Sequence, residues 1–273
     1  MLSYIRRPTV LNNAGLVARC LGGHAPSDDL DALHAAYHRG LSAAQRYRVD
    51  YDPNRAEPLT TRRLGDRGLE HQLFGRSWSP EMECSVADLA TMPRARREVD
   101  AYDDDFALAV RLLIGSFVFS RLPGYGGGSV GDAAGVVWIN PASDPGGQDL
   151  SEKIIHETTH QCLFLHEMVH GLFDEPERWR RCLVVSAILG IPRGYARSLH
   201  SAAVAAVLAD FALYRGRISR ARTLVDGLAR TNRDLVAVDN RERCLSGAGP
   251  AVLDELVEVC ARLQEALRDH STN

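Results

Sequence analysis

The chain has 273 residues, 45% of them apolar and 25% charged, the mix of a globular enzyme long enough to bury a real core. Its formal charge of -3 supplies no overall basic field for nucleic acid or an anionic membrane surface. The 6 cysteines, Cys20, Cys84, Cys162, Cys182, Cys244 and Cys260, form no CxxC pair, a pattern of free thiols in a reducing compartment rather than of a disulfide framework.

Residues 1–10 carry Arg6 and Arg7 but no apolar stretch of signal-peptide length. The most apolar runs, 106–120 and 201–214, are short and interrupted by Arg111 and Asp210. A cytoplasmic protein with neither a membrane nor a nucleic-acid partner is the expectation.

In chain order, residues 26–48 read as a helix, with Ser27 as a possible cap and Leu30, Leu33, Ala36, Tyr37, Leu41 and Ala44 at helical spacing. His34 and His38 share an i,i+4 spacing there without an intervening Glu, and a solvated face is expected for them. Residues 50–80 are rich in Pro, Gly, Arg and Thr with little periodicity, so a long loop with short pieces of structure is expected. A short helix over 85–91 and a firmer one over 102–113 follow, the second with Asp103, Asp104 and Asp105 at its positive end. Residues 115–121 and 135–140 are β-formers separated by Gly124, Gly126, Gly127, Gly128 and Gly131, which predicts a hairpin or part of a small sheet, with a mobile glycine loop between.

Beyond residue 140 the pattern is helical. Asp149 and Glu152 have capping-box spacing at the start of a helix that runs to about Gly171. Further helices are expected over 176–189, 192–215, 219–243 and 250–270, with Gly190 stopping one and Pro192 starting the next. The predicted fold is mostly α: one domain with a small β-hairpin or sheet before the central helix, residues 101–273 forming the catalytic core and 1–100 a less regular N-terminal part.

The chemistry lies in His156-Glu157-Thr158-Thr159-His160. Histidines at i and i+4 stand about 40° apart and one turn along a helix, so both imidazoles can reach one metal ion, with Glu157 near enough to orient a bound water. A second copy, His166-Glu167-Met168-Val169-His170, cannot serve the same ion, because about 15 Å of helix rise separates the two. On a helical wheel Glu152, Thr159, His160, His166, Glu167 and His170 fall within about 80° of His156, a polar stripe on an otherwise apolar helix. A metzincin extension would need glycine where Leu163 stands. Glu175 and Glu177 are possible third ligands in a polar turn. His200 is the stronger candidate, on a helix whose Ala202, Ala203, Ala205, Ala206 and Ala209 permit close approach to a neighbour.

The segments Phe119-Ser120-Arg121, Gly135-Val136-Val137, Ile154-Ile155-His156-Glu157-Thr158-Thr159-His160, Pro192-Arg193 and Leu199-His200 together resemble the HExxH-type iron(II)- and 2-oxoglutarate-dependent peptide β-hydroxylase family, associated with ribosomal peptide biosynthesis. Arg197 departs from the family, standing where it tends to have glycine, and the second HExxH has no counterpart.

The resemblance covers about a third of the chain and implies His156, His160 and His200 as ligands to Fe(II), with 2-oxoglutarate and O2 as cosubstrates. Arg193 would pair with the distal carboxylate of 2-oxoglutarate, with Arg197 as an alternative. Glu157 would position a ligand, and Ser120, Arg121, His166, Glu167 and His170 would line the substrate path. The implied substrate is a peptide or amino-acid derivative, such as a ribosomal precursor peptide, hydroxylated at an unactivated carbon. The alternative from the motif alone is a zinc-dependent peptidase or other hydrolase with Glu157 as general base.

Overall fold

A computed structural model describes residues 1–22, 29–44, 59–61, 84, 89–121, 126–141, 149–174, 180–238 and 244–272. They are mostly helical, with two small sheets, and fall into two compact units, residues 5–165 and residues 1–4 with 166–273.

The 5–165 unit opens with α1 (Arg7–Cys20), which the sequence reading did not anticipate; Pro8 occupies its first turn, where a missing N–H costs no bond. Helix α2 (Leu30–Ala44) starts from Asp29, whose Oδ1 accepts from Ala32 N at 2.9 Å, a side-chain cap for one of the first-turn donors. Ser27, the expected cap, lies outside the described residues, as do 85–88 of the short helix expected over 85–91. Helices α3 (Met92–Tyr102) and α4 (Asp104–Leu113) are divided by Asp103. Its backbone is extended (φ -161°, ψ 128°) and its carboxylate accepts from Phe106 N at 2.9 Å, ending one helix and capping the next.

The expectation of a solvated face for His34 and His38 is overturned: both are buried. His34 Nδ1 donates to Arg111 O at 2.8 Å and His38 Nε2 to Leu112 O at 3.1 Å. These carbonyls belong to the last turn of α4, where the helix has no further N–H to offer, so the histidine pair caps its C-terminus. Burial, reinforced by His34, pushes His38 down to about 3, so it is neutral at physiological pH. Gly135, at φ 91°, sits so close that a Cβ there would stand 2.9 Å from His38 Cε1.

Four strands form the sheet of this unit in the order β1-β2-β4-β3: β1 (Leu59–Thr61), β2 (Ser116–Phe119), β3 (Gly127–Gly128) and β4 (Val136–Ile139). Strand β1 is one of the short pieces expected within 50–80. Strands β2 and β4 run parallel, Ser116 opposite Val136 and Phe119 opposite Ile139, and are not a hairpin. Every residue of both is buried, the continuous apolar run of a parallel pair covered on both faces. The glycine stretch supplies β3, which pairs antiparallel with the outer side of β4. Gly127 and Gly128 are thus a sheet edge rather than part of a loop, while 122–125 lie outside the described residues.

Helix α5 (Leu150–His170) begins as expected, with Asp149 Oδ1 accepting from Glu152 N at 3.0 Å, and ends at Gly171, whose φ of 66° lies in the left-handed region that favours glycine. Gln161 fastens it to the start of β4, accepting from Gly135 N at 2.8 Å and donating to Val136 O at 3.3 Å. Lys153, the single lysine, is buried and donates to Asn140 O at 2.7 Å just beyond the far end of the strand. Two side chains bonded at opposite ends of β4 fix the rotation of α5, and with it which residues face out.

In the other unit, β5 (Leu183–Val185) and β6 (Pro192–Gly194) pair antiparallel, followed by α6 (Tyr195–Tyr214), α7 (Ile218–Ala237) and α8 (Gly249–Thr272). This corrects the helix expected over 176–189, within which 180–189 carry β5, and the start of the next, since Pro192 and Arg193 are strand residues. Proline fixes φ at a value that serves an edge strand as well as a first helical turn, and it holds the preceding Ile191 out of the α region. The Leu-Val-Val run supplies the partner strand, and Ser198 Oγ donates to Val184 O at 2.8 Å, tying strand to helix. Helix α6 is the centre of the unit, packed against α7, α8 and both strands. Among the described residues it is the one helix long and apolar enough to cross a membrane; 83% of that window is buried inside the protein, the burial of a core helix.

Candidate metal centre

The rotation of α5 leaves His156 and His160 half-exposed while Ile154, Ile155, Glu157, Thr158 and Thr159 are buried. The two imidazole centroids lie 5.1 Å apart with the rings tilted by 58°. Two imidazoles bound to one ion, at about 2.0–2.1 Å from each nitrogen, have centroids about 5 Å apart, a separation the pair matches. The Phe164 ring stacks on His160 at 6.2 Å, walling one side.

Glu157 is buried beside this pair. Ser129 Oγ donates to its Oε2 at 2.8 Å, and its Oε1 stands 3.8 Å from His156 Nε2. Burial pushes the carboxyl up to about 8, against the opposing pull of the Ser129 bond; a nearby cation would bring it down again. The edge strand makes room for this group: a Cβ on Gly127 would lie 2.9 Å from Trp138 O and 3.3 Å from Glu157 Oε1. Ser129 is the residue sequence reasoning missed. Nothing in a serine after a glycine run signals that it will reach a carboxylate on a helix 28 positions on.

The other expected residues of the 5–165 unit are Ser120 and Arg121. Ser120 is fully buried just past the end of β2, its backbone N–H donating to Ile139 O at 3.0 Å, and its Oγ has no hydrogen-bond partner among the described residues. A buried hydroxyl without a partner is costly, which fits a group that meets a ligand. Arg121 is exposed.

His166, Glu167, His170, Arg193, Arg197 and His200 belong to the other unit. His166 and His170 have centroids 4.6 Å apart, and the Tyr4 ring lies 5.8 Å from His166. Burial first, then the charge of His170, lowers His166 to about 4; burial raises Glu167. His200 is buried at 8% exposure, stacked on Phe173 at 6.0 Å, and lowered to about 4 by desolvation, so it is held as the neutral imidazole that metal binding requires. Arg193 is half-buried on β6 and Arg197 is exposed on the first turn of α6. Arg193 is lowered by burial and then by the charge of Arg197. No ion pair joins either to a carboxylate among the described residues, leaving like charges side by side, a place suited to an anion.

The structure therefore brings together His156 with His160 and Glu157, His166 with His170, and Arg193 with Arg197. Among the described residues no group of three or more His, Cys, Asp or Glu side chains is arranged to hold a metal ion. Glu175 and Glu177 lie outside the described residues. No protein-family model matches the chain, and no curated protein matches it.

Proposed function

We propose that this chain is a cytoplasmic iron(II)- and 2-oxoglutarate-dependent oxygenase that hydroxylates an unactivated carbon, the β-carbon of a residue in a peptide or an amino-acid derivative. The observation that carries the reading is the His156/His160 pair, half-exposed on a buried helix at ligand spacing, with a buried carboxyl between the two in sequence. His156 and His160 would hold the metal, and the family resemblance implies His200 as a third ligand. The adjacent charges of Arg193 and Arg197, without a carboxylate partner among the described residues, support 2-oxoglutarate as cosubstrate: Arg193 would form a bidentate bond to its distal carboxylate. Iron in such a site supplies the activation of dioxygen that is coupled to decarboxylation of 2-oxoglutarate.

The remaining residues orient and exclude. Glu157, held by Ser129, would fix His156 and a neighbouring water rather than react itself. The Ser120 hydroxyl would meet the substrate, with Arg121, His166, Glu167 and His170 along its path. A ribosomal precursor peptide fits as substrate through the family resemblance.

The deciding experiment is anaerobic addition of Fe(II) and 2-oxoglutarate to the purified chain. A weak visible charge-transfer band, followed by succinate formation on admission of O2, is the expected result. A second reading, a zinc hydrolase, draws on the 3.8 Å approach of Glu157 Oε1 to His156 Nε2, which would let the carboxylate address a metal-bound water. Zinc-dependent peptide cleavage with no need for 2-oxoglutarate would replace the first reading with the second.

A further inference from the structure

Two of the free thiols meet in the second unit. Cys182 Sγ and Cys244 Sγ lie 3.4 Å apart, with Cys182 half-buried and Cys244 buried. A disulfide needs about 2.05 Å between the sulfurs, so closure asks for a movement of only about 1.4 Å. The two cysteines are 62 positions apart, and each sits at the end of a separate hydrogen-bonded segment.

Cys182 immediately precedes β5, whose Val184 pairs with Arg193 on β6. The Cys244 carbonyl accepts from Asp174 N at 3.2 Å, Leu245 bridges to Phe173, and Ser246 N donates to Leu172 O at 3.1 Å. Phe173 is the ring that stacks on His200. A bond between the two sulfurs would therefore clamp the hairpin that carries Arg193 to the segment that backs His200.

We propose that Cys182 and Cys244 are a thiol–disulfide modification site that responds to peroxide. The half-buried Cys182, as thiolate, attacks one peroxide oxygen; the O–O bond breaks and hydroxide leaves, giving a sulfenic acid. The Cys244 thiolate then attacks that sulfur, the S–O bond breaks, and a second hydroxide leaves. Two thiols lose two electrons and two protons, and one hydrogen peroxide becomes two waters. A reducing compartment returns the pair to thiols, as expected of a sensing rather than a structural bridge. This inference stands whether or not the chain is an oxygenase.

The test is covalent. The full chain carrying Cys260→Ser, which removes the other cysteine of the tryptic peptide that contains Cys244, is treated with hydrogen peroxide and digested without reductant. The expected product is a Cys182–Cys244 cross-linked peptide two hydrogens lighter than its parts, lost on treatment with dithiothreitol and accompanied by a thermal midpoint raised by about 5 °C. In Cys244→Ser, Cys182 should instead accumulate as a sulfenic acid trapped by dimedone. Sulfenic or sulfinic acid at Cys182 in the chain that keeps Cys244, or linkage of either cysteine to another partner, overturns the proposal.

Discussion

Ser129 donates a 2.8 Å hydrogen bond to Glu157 across the gap between the glycine edge strand and the HExxH helix, and it leaves the other carboxylate oxygen 3.8 Å from His156 Nε2. The Ser129 bond orients the buried carboxyl so that its second oxygen faces the histidine. What such a group does depends on whether it exchanges a proton in the reaction or only keeps its neighbours in place.

That distinction gives the first prediction. If Glu157 only positions, Glu157→Gln keeps the size and shape of the side chain beside Ser129 and His156, and succinate formation falls by about tenfold to a hundredfold. A general base removed from a hydrolase costs up to about 10⁴-fold. Ser129→Ala should follow Glu157→Gln in direction with a smaller loss. Rates measured alongside metal content separate lost turnover from lost metal; a drop above 10³-fold at full metal loading would count against the positioning role.

The second prediction concerns which motif binds. His156→Ala and His160→Ala should each lower iron or cobalt affinity by at least about a hundredfold, since either leaves a single imidazole from the pair. His166→Ala and His170→Ala should leave affinity and stoichiometry near those of the parent. His200→Ala should weaken binding without abolishing it. Metal content after equilibrium dialysis reports all of these without any substrate. Loss of metal from the His166 or His170 variant alone would move the centre to the second motif.

The parts of this picture that were legible in sequence are those set by neighbours along the chain. The Asp149 cap, the Gly171 stop and the shared face of His156 and His160 all follow from spacings within a turn or two. The parts that were not legible depend on distant partners. His34 and His38 looked solvated because the carbonyls that claim them, Arg111 O and Leu112 O, are more than 70 residues away. The β-runs around Phe117 and Val137 announced strands but not direction, because pairing sense is set by the path of the connection. Pro192 was ambiguous for a local reason: its fixed φ serves both helix start and strand edge, and only β5 decides between them.

Arg193 and Arg197 yield the third prediction. A charge-assisted bond to a carboxylate is worth about 1.5–3 kcal/mol, so Arg193→Met should raise the KM for 2-oxoglutarate by about 10- to 150-fold. Arg193→Lys should recover only part of this, since a lysine cannot form the bidentate pair. Arg197→Met removes a repelling neighbour as well as a charge, and a smaller increase is expected. Titration of 2-oxoglutarate against the anaerobic charge-transfer band reads these affinities directly. An unchanged KM in Arg193→Met would remove that residue from the cosubstrate site.

The buried His38 makes a prediction about pH that involves no catalysis. Its folded pKa, about 3, lies below the ordinary value of 6.5, because burial and the neighbouring His34 disfavour the charged ring. The sign follows: the unfolded chain takes up a proton at this site as pH falls below about 6.5, while the folded chain does not until about pH 3. The stability that the neutral ring contributes is therefore complete above about 6.5 and is lost progressively down to about pH 3, at up to about 1.4 kcal/mol per pH unit. His38→Gln keeps a donor toward Leu112 O but has nothing to titrate. It should be less stable than the parent at pH 7, by about 1–3 kcal/mol for an imperfectly satisfied buried group. That deficit should then shrink as the medium is acidified, because only the parent pays the protonation penalty. Urea unfolding of both proteins at a series of pH values between 7 and 4 measures the difference, and a deficit that stays constant across that range would show that His38 is not the buried neutral cap on α4 described above.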